Sequence, residues 1–422
     1  RANDAKEKTE QAEKDEKTNL AKTEDLINQY VSGIELEQVT DRNPGVLETE
    51  ETNTYVINSI EDLVVFASNV RNGNTYEGQT VKLGLSLDFN STKSYVDPLR
   101  TDYKEYGYDG ELKTLLTSGE GFKPIGTIYD YNLNTNYFEG TFDGNGNTIY
   151  NLYQNIENSE YVTIAGLFST NGGTIKNLEV ENINMNGTTN NLHLLFGGIA
   201  GRNTDGIIQK CSTSGKISIQ ANGVKGIYVG GIVGQSLNSG NVINQCSSNM
   251  KININSTNTN SLTALGIGQS DETKNCYYTG EILVTGENSG LKNISGIGNA
   301  KTVSNCYNAG NIKVYFDNEN ADQLYVGGIM LGGATNIENC YNLGEIDCKN
   351  NKIYIAGIEA NAQNGEINNC FNVGNLNASG NTITLGALTG YTANQIVSNS
   401  KWLTGTAEKA IGSEATNVTK NN

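Results

Sequence analysis

Apolar residues recur at short, regular intervals along most of the chain. Over residues 81–89 they fall at every second position, Val81, Leu83, Leu85, Leu87 and Phe89, which predicts a strand with one buried face. Just upstream the spacing changes. Ser59-Ile60-Glu61-Asp62 is a capping-box-like start, and Leu63, Val64, Phe66, Ala67 and Val70 follow at helical intervals, so one short amphipathic helix is expected there. Residues 91–120 are polar and Tyr-rich, which predicts a surface excursion.

Beyond residue 160 the alternation is organised by a longer period. One position per unit marks it: Leu178, Cys211, Cys246, Cys276, Cys306, Cys340, Cys370 and Ser400, at spacings of 33, 35, 30, 30, 34, 30 and 30. Three residues earlier stands Ile175, Ile208, Ile243, Val303, Ile337, Ile367 or Val397, with Thr273 departing. The residue just before the marker is Asn177, Asn275, Asn305, Asn339, Asn369 or Asn399, with Lys210 and Gln245 departing. Four residues after it comes Gly215, Gly280, Gly310, Gly344 or Gly374, and six after it Ile217, Ile252, Ile282, Ile312, Ile346 or Leu376. A Gly-rich apolar strand precedes most markers, as in Gly197-Gly198-Ile199-Ala200 and Gly230-Gly231-Ile232-Val233. Each unit reads as three short strands separated by turns, with about eight units between 161 and 404. No unit can bury its own apolar face, but stacked coils bury a continuous column and pair each backbone edge with the next. At about 4.8 Å per rung, eight coils and two or three more from 80–152 make a rod of roughly 50 Å. Asn tolerates left-handed backbone angles and can pair its amide with the Asn above, and Gly is expected to serve the next turn for the same steric reason.

Composition supports an all-β chain. The 422 residues include 62 Asn and 49 Gly, both poor helix formers, against 3 Pro and 1 His. With 29 basic and 46 acidic residues the net charge is −17, the wrong sign for a nucleic-acid partner. No apolar run approaches membrane-spanning length, and any targeting segment is expected upstream of Arg1. Charge also marks a boundary, because 14 of the first 32 residues are charged. A narrow stripe of Ala2, Ala5, Thr9, Ala12, Leu20, Thr23, Ile27 and Tyr30 predicts a helix over 1–32, either a solvated leader or the exposed lower half of a longer helix. The expected organisation is this helix, a linker over 33–54, an N-terminal cap with first coils over 55–160, the repeat coils over 161–404, and a tail over 405–422.

Several motifs carry a resemblance. The run Phe138-Glu139-Gly140-Thr141-Phe142-Asp143-Gly144-Asn145-Gly146, then Gly166-Leu167-Phe168, Gly231-Ile232-Val233-Gly234 and the Ile-x-Asn-Cys-Tyr-Asn-x-Gly-x-Ile units resemble GLUG-motif repeats of bacterial surface β-helices. That group includes the non-catalytic helix of IgA-protease-type proteins. Tyr55 to Leu63 and Lys123-Pro124-Ile125-Gly126 resemble the cap that precedes such repeats. The resemblance covers about 55–412 and implies a right-handed parallel β-helix on a secreted or surface-attached protein. Residues 1–32 are similar, in composition only, to the lower half of a type IV pilin helix.

Candidate chemistry is sparse. The cysteine column, with Cys348 in an apolar position of its own strand, is expected to point inward as small buried hydrophobes. No Cys-x-x-Cys pair occurs and there is one His, so neither a zinc site nor a cofactor is expected. Tyr277, Tyr307, Tyr341 and Phe371 follow the cysteines and should alternate outward, as packing across rungs or as a ridge for a sugar chain. Glu139 and Asp143 form a carboxylate pair of the type glycoside hydrolysis uses, but Asp-Gly-Asn-Gly is also a turn. His193 stands alone at the entry to a strand, and no His-Glu-x-x-His or Gly-x-Ser-x-Gly occurs.

The leading expectation is a non-enzymatic extracellular rod on a bacterial surface or pilus, adhesin-like or pilin-like. Its partners would be a host or matrix glycan or protein, or other pilin-like subunits. A polysaccharide-active β-helix enzyme and a spacer domain of a larger surface protease are the alternatives.

Overall fold

The structure is a computed structural model that describes residues 53–90, 110–127, 129–130, 136–157, 162–189, 193–287, 290–316 and 323–414. The expected helix over 1–32, the linker up to residue 52, residues 91–109 of the excursion and residues 415–422 of the tail lie outside the described residues.

The chain is an all-β solenoid of about eight repeat turns. One coil illustrates its path. Strand Glu272–Lys274 ends at a corner on Asn275, Tyr277–Tyr278 and Glu281–Glu287 form the next face, Leu291–Ser295 returns, and Gly298–Asn299 leads to the following coil. Pairing to the next coil is parallel and in register on every face: Glu272 opposes Thr302, Tyr277 opposes Tyr307, Ile282 opposes Ile312, Ile294 opposes Val326, and Gly298 opposes Met330.

Because register repeats, alternation along each strand becomes a column through the rod. Ile175, Ile208, Ile243, Thr273, Val303, Ile337 and Ile367 make one buried column. Ile217, Ile252, Ile282, Ile312, Ile346 and Leu376 make a second, and Ile199, Ile232, Ile267, Ile297, Ile329 and Ile358 line the opposite wall. Burying each such side chain is worth about 1.5–3 kcal/mol. The buried column is therefore the source of the rod's stability.

The N-terminal end is closed. Helix α1 (Ile60–Arg71) begins at Ser59, whose hydroxyl accepts from the Asp62 N–H at 3.0 Å, while the Asp62 carboxylate accepts from the Asn58 N–H at 2.9 Å. Its Phe66 packs against Tyr76, Phe138, Phe142 and Phe168 at centroid separations of 5.1 to 6.5 Å, sealing the first coils.

Three expectations change here. The strand over 81–89 is two strands, Thr80–Leu83 and Leu87–Asp88, because the chain turns a corner at Gly84, whose N–H donates to Ile57 O. Leu85 is half-buried at that corner while its neighbours in the alternation are buried, so alternation alone did not reveal the bend. The excursion contains a second helix, α2 (Gly110–Thr117), with Leu116 buried, and the nearby Phe122 ring lies 5.3 Å from Phe89. The described part of the tail belongs to the rod: Thr406 and Ile411 are buried and Ile411–Glu414 pairs in parallel with Thr389 to Thr392.

Among the described residues, the last coils are uncovered on one side. Ile353 is fully buried, yet Ile383, one rung further in the same column, is 42% exposed because no described coil lies over it. A recess of about 1000 Å³ results, lined by Leu376, Ile383, Leu385, Trp402 and Thr406 among others.

These columns predict different responses at adjacent positions. Ile312→Asp buries an unpaired charge, which costs several kcal/mol, on the order of 4. It should abolish or sharply lower the cooperative thermal transition. Lys313 is half-exposed on the other face, where it pairs with Glu281 at 3.1 Å, so Lys313→Ser should change stability by less than about 1 kcal/mol. Thermal melts followed by circular dichroism check both, and equal losses would refute the strand phase.

Candidate functional site

The corner before each marker sets what faces in and what faces out. Asn177, Asn275, Asn305, Asn339, Asn369 and Asn399 take φ between 48° and 55°, and Lys210 and Gln245 adopt the same left-handed turn at 52° and 53°. Coil geometry thus overrides residue preference at those two corners. The side chains form an amide ladder along the edge: Asn305 Nδ2 donates to Asn275 Oδ1 at 3.1 Å, Asn339 to Asn305 at 3.1 Å and Asn369 to Asn339 at 2.7 Å.

After the corner the marker points inward. All seven cysteines are buried free thiols, and Sγ of Cys276, Cys306 and Cys340 donates to the carbonyl two residues earlier at 3.1, 3.2 and 3.2 Å. Burial pushes the Cys246, Cys276, Cys340 and Cys348 thiols up, which suppresses the thiolate at those positions, whereas hydrogen bonds from Cys276 and Cys340 act to lower Cys306 between them.

The next residue points outward. Tyr277 and Tyr307 stack with centroids 5.0 Å apart and planes 4° from parallel, and Tyr307 and Tyr341 repeat this at 5.1 Å and 3°. Phe371 continues the column in register beneath Tyr341. The rings therefore turn their faces to one another along the rod and present edges and phenol hydroxyls outward. Sugar stacking uses open ring faces, and this ladder covers most of them.

A second outward column was not recognised from sequence. Two residues beyond each ring stand Thr279, Ala309, Leu343 and Val373, and Leu403 follows Lys401 in the next coil; all five are exposed. Tyr277, Tyr341, Phe371, Leu343, Val373 and Leu403 are 37% to 55% exposed and together make a ridge of two parallel columns. The signal lay inside the repeat, as a variable position that grows apolar toward the C-terminal end.

Between these outward columns a third points in. Asn308, Asn342 and Asn372 are fully buried; Asn308 Nδ2 donates to Asn342 Oδ1 and Asn342 Nδ2 to Asn372 Oδ1, each at 2.8 Å. The same amides donate to Gly310, Gly344 and Gly374 carbonyls at 3.0 to 3.2 Å. The glycine column here has a different cause from the one expected. Only Gly215 of this set has a left-handed φ, at 124°. At Gly344 and Gly374 a Cβ would sit 2.0 Å from the carbonyl oxygen of the glycine above, so close approach of successive coils is what excludes a side chain.

The other candidates are dispersed. Asp143 accepts from Asn177 Nδ2 at 3.0 Å and the Asn145 N–H at 2.8 Å, and Lys176 stands 3.4 Å away. Burial works to raise its carboxyl, but these hydrogen bonds and Lys176 outweigh it and hold it below the usual carboxylate range. Asp143 is thus engaged in its turn, and Glu139 takes no part in those bonds. His193 is half-buried at the start of strand His193–Gly197, 6.1 Å from the Tyr228 ring. Burial, with Lys225 and Arg202 nearby, lowers its pKa. Among the described residues no group of three or more His, Cys, Asp or Glu is placed to hold a metal ion, and no helix is long and apolar enough to cross a membrane.

No family model matches the chain, and no curated protein matches it. Among solved structures, a Bacteroides ovatus chain provisionally described as an immunoglobulin A1 protease is similar, at 18% identity and a TM-score of 0.33, over 88% of this chain and 85% of that one. A superposition that loose carries no argument about activity.

Two outcomes follow from the ladders. A thiol reagent such as dithionitrobenzoate should label none of the seven cysteines in the native protein within minutes and all of them in denaturant; fast native labelling would place the column elsewhere. Asn342→Leu should destabilise the rod by about 1–3 kcal/mol, because it strands buried partners above and below. Asn339→Gly, at the exposed corner, keeps the left-handed turn and should stay within about 0.5 kcal/mol. Denaturant titration measures both.

Proposed function

We propose that this protein is a non-enzymatic surface rod that attaches through the ridge formed by Tyr277, Tyr307, Tyr341, Phe371, Leu343, Val373 and Leu403. The carrying observation is the two outward columns on a rigid in-register scaffold. Exposed, contiguous apolar side chains of this kind mark interaction sites. Outside the ridge, the same outward face carries polar pairs across rungs, such as Lys313 with Glu281 and Tyr315 with Asp347. Apolar exposure is therefore confined rather than general along this face.

The partner that fits this geometry best is a protein surface in the host or matrix. Ring edges, hydroxyls and aliphatic tips suit a flat apolar contact with a polar rim. A glycan remains the partner to compare, and it would contact the ring edges and hydroxyls more than their faces.

Extracellular placement and the GLUG assignment rest on the motifs at 138–149 and in the repeat, and the pilin-like role rests on the composition of residues 1–32. Under that reading, residues encoded before Arg1 would be an apolar run of about 20 after a short basic leader. Sequencing upstream decides it, and a polar stretch there would remove the pilin-like part.

Host-matrix protein and glycan arrays probed with the rod test attachment. Leu343→Ser with Val373→Ser should weaken protein binding by about tenfold or more, since apolar anchors carry over ~1 kcal/mol each, while the thermal midpoint holds. Binding that survives the double change would move the site off the ridge. Arrays that stay blank would remove the attachment role.

A further inference from the structure

Glu359 breaks one of the apolar columns. The register Phe168, Ala200, Val233, Gly268, Gly298, Met330, Glu359, Thr389, Ile411 places a carboxyl where every earlier rung has an apolar residue or glycine. Glu359 is fully buried. Its Oε1 accepts from the Ala334 N–H at 3.2 Å, one coil earlier, and its Oε2 lies 2.5 Å from the side-chain amide of Gln395, one coil later. Gln395 is itself 1% exposed, and its Oε1 has no hydrogen-bond partner among the described residues.

Among the described residues no cation balances this carboxyl. Its hydrogen bonds come from a backbone N–H and an amide, both neutral. On the strands packed against it the charged groups are Glu338, Lys352 and, on its own strand, Glu366. The titratable rings there are Tyr325, Tyr354 and Tyr391. All of these are partly or fully exposed. Burying an ionised carboxylate without a counter-charge is costly enough that such a group takes up a proton instead.

We propose that Glu359 is held as a neutral acid inside the rod, and that its contacts with Ala334 and Gln395 make it a pH-sensitive latch between three successive coils. Through Ala334, Glu359 and Gln395 it ties three successive rungs at the open end of the rod. Burial raises the Glu359 pKa to about 7, with the bonds from Gln395 and Ala334 acting the other way. The ordinary value is 4.5, so between about 4.5 and about 7 the folded protein holds a proton that the unfolded chain has lost. Stability from this group is therefore full at the acidic edge of that window, falls as pH rises through it, and is level above. The fall amounts to a loss on the order of a hundredfold in the folding constant.

Thermal melts of the full chain and of Glu359→Gln across this window test the latch. The wild-type midpoint should drop toward the alkaline edge relative to the variant, and hydrogen exchange over 376–414 should rise with it. Parallel pH profiles would overturn the proposal. Should Glu359→Gln fail to fold, Glu359→Met, which copies Met330 one rung above, serves in its place. Infrared difference spectra give a direct reading. A protonated carboxyl band near the middle of the window, lost in either variant, is expected, and its absence from the wild type would equally overturn the proposal.

Discussion

Parallel pairing of each coil with the next, in a register that shifts at the bulge between Val180 and Ile183, is the constraint on which the molecule depends. A shift of one residue anywhere along Tyr277–Tyr278 and Glu281–Glu287 would turn Tyr277 inward and Cys276 outward, and every later column would follow. Register is held twice over. Apolar residues at 282, 312 and 346 leave the core if it slips, and the glycines at 310, 344 and 374 bring successive backbones so close that no side chain fits between them. Once the register is held, like residues are brought face to face down the rod, and pairwise contacts become ladders.

What a ladder does depends on where it lies. The Asn308, Asn342 and Asn372 amides are buried, so each donor must be satisfied, and the glycine carbonyls beside them complete the set. The corner ladder from Asn244 to Asn369 lies at the surface, where water competes, and its role is mainly to suit a left-handed turn. Stacked rings at 277, 307 and 341 are also outside, yet they cover each other's faces, which leaves their edges and the aliphatic column beside them as the contact surface. Thiols at the marker positions are buried and bonded to nearby carbonyls, a packing role.

Much of the fold was legible because a repeat samples each structural position many times. Inward cysteines, outward rings, the Asn corner and the capping helix at 60–71 could all be read from spacing. Features that occur once were harder. The bend at Gly84 lies inside a perfect alternation, and the second helix at 110–117 has a single buried leucine among its described side chains. The glycine column was legible as a position, but its cause was a distance between coils, which sequence does not contain. Leu343, Val373 and Leu403 occupy the variable slot of the repeat, where conserved spacing gives no warning of an apolar surface. Glu359 follows Ala356-Gly357-Ile358 as though it were a surface residue, and only the register with Met330 and Thr389 shows that it is inside.

The two ends of the rod differ, and the difference falls on the same side as the ridge. Helix α1 and the Phe66 cluster close the N-terminal end, whereas Ile383 and the recess beside Trp402 leave the C-terminal end partly uncovered. Along the outward columns the residues run from Ser247 and Asn249 through Tyr277 and Thr279 to Tyr341 and Leu343, then Phe371 and Val373. The aliphatic column therefore grows toward the last described coils, while the ring column gives way to Lys401. The buried acid at Glu359 and the exposed Ile383 lie in the coils that also carry Leu343, Val373 and Leu403, the aliphatic part of the ridge. Departures from the repeat at Glu359 and Lys401 are therefore set against neighbours that still follow it, and each is tolerated only as far as those neighbours can satisfy it.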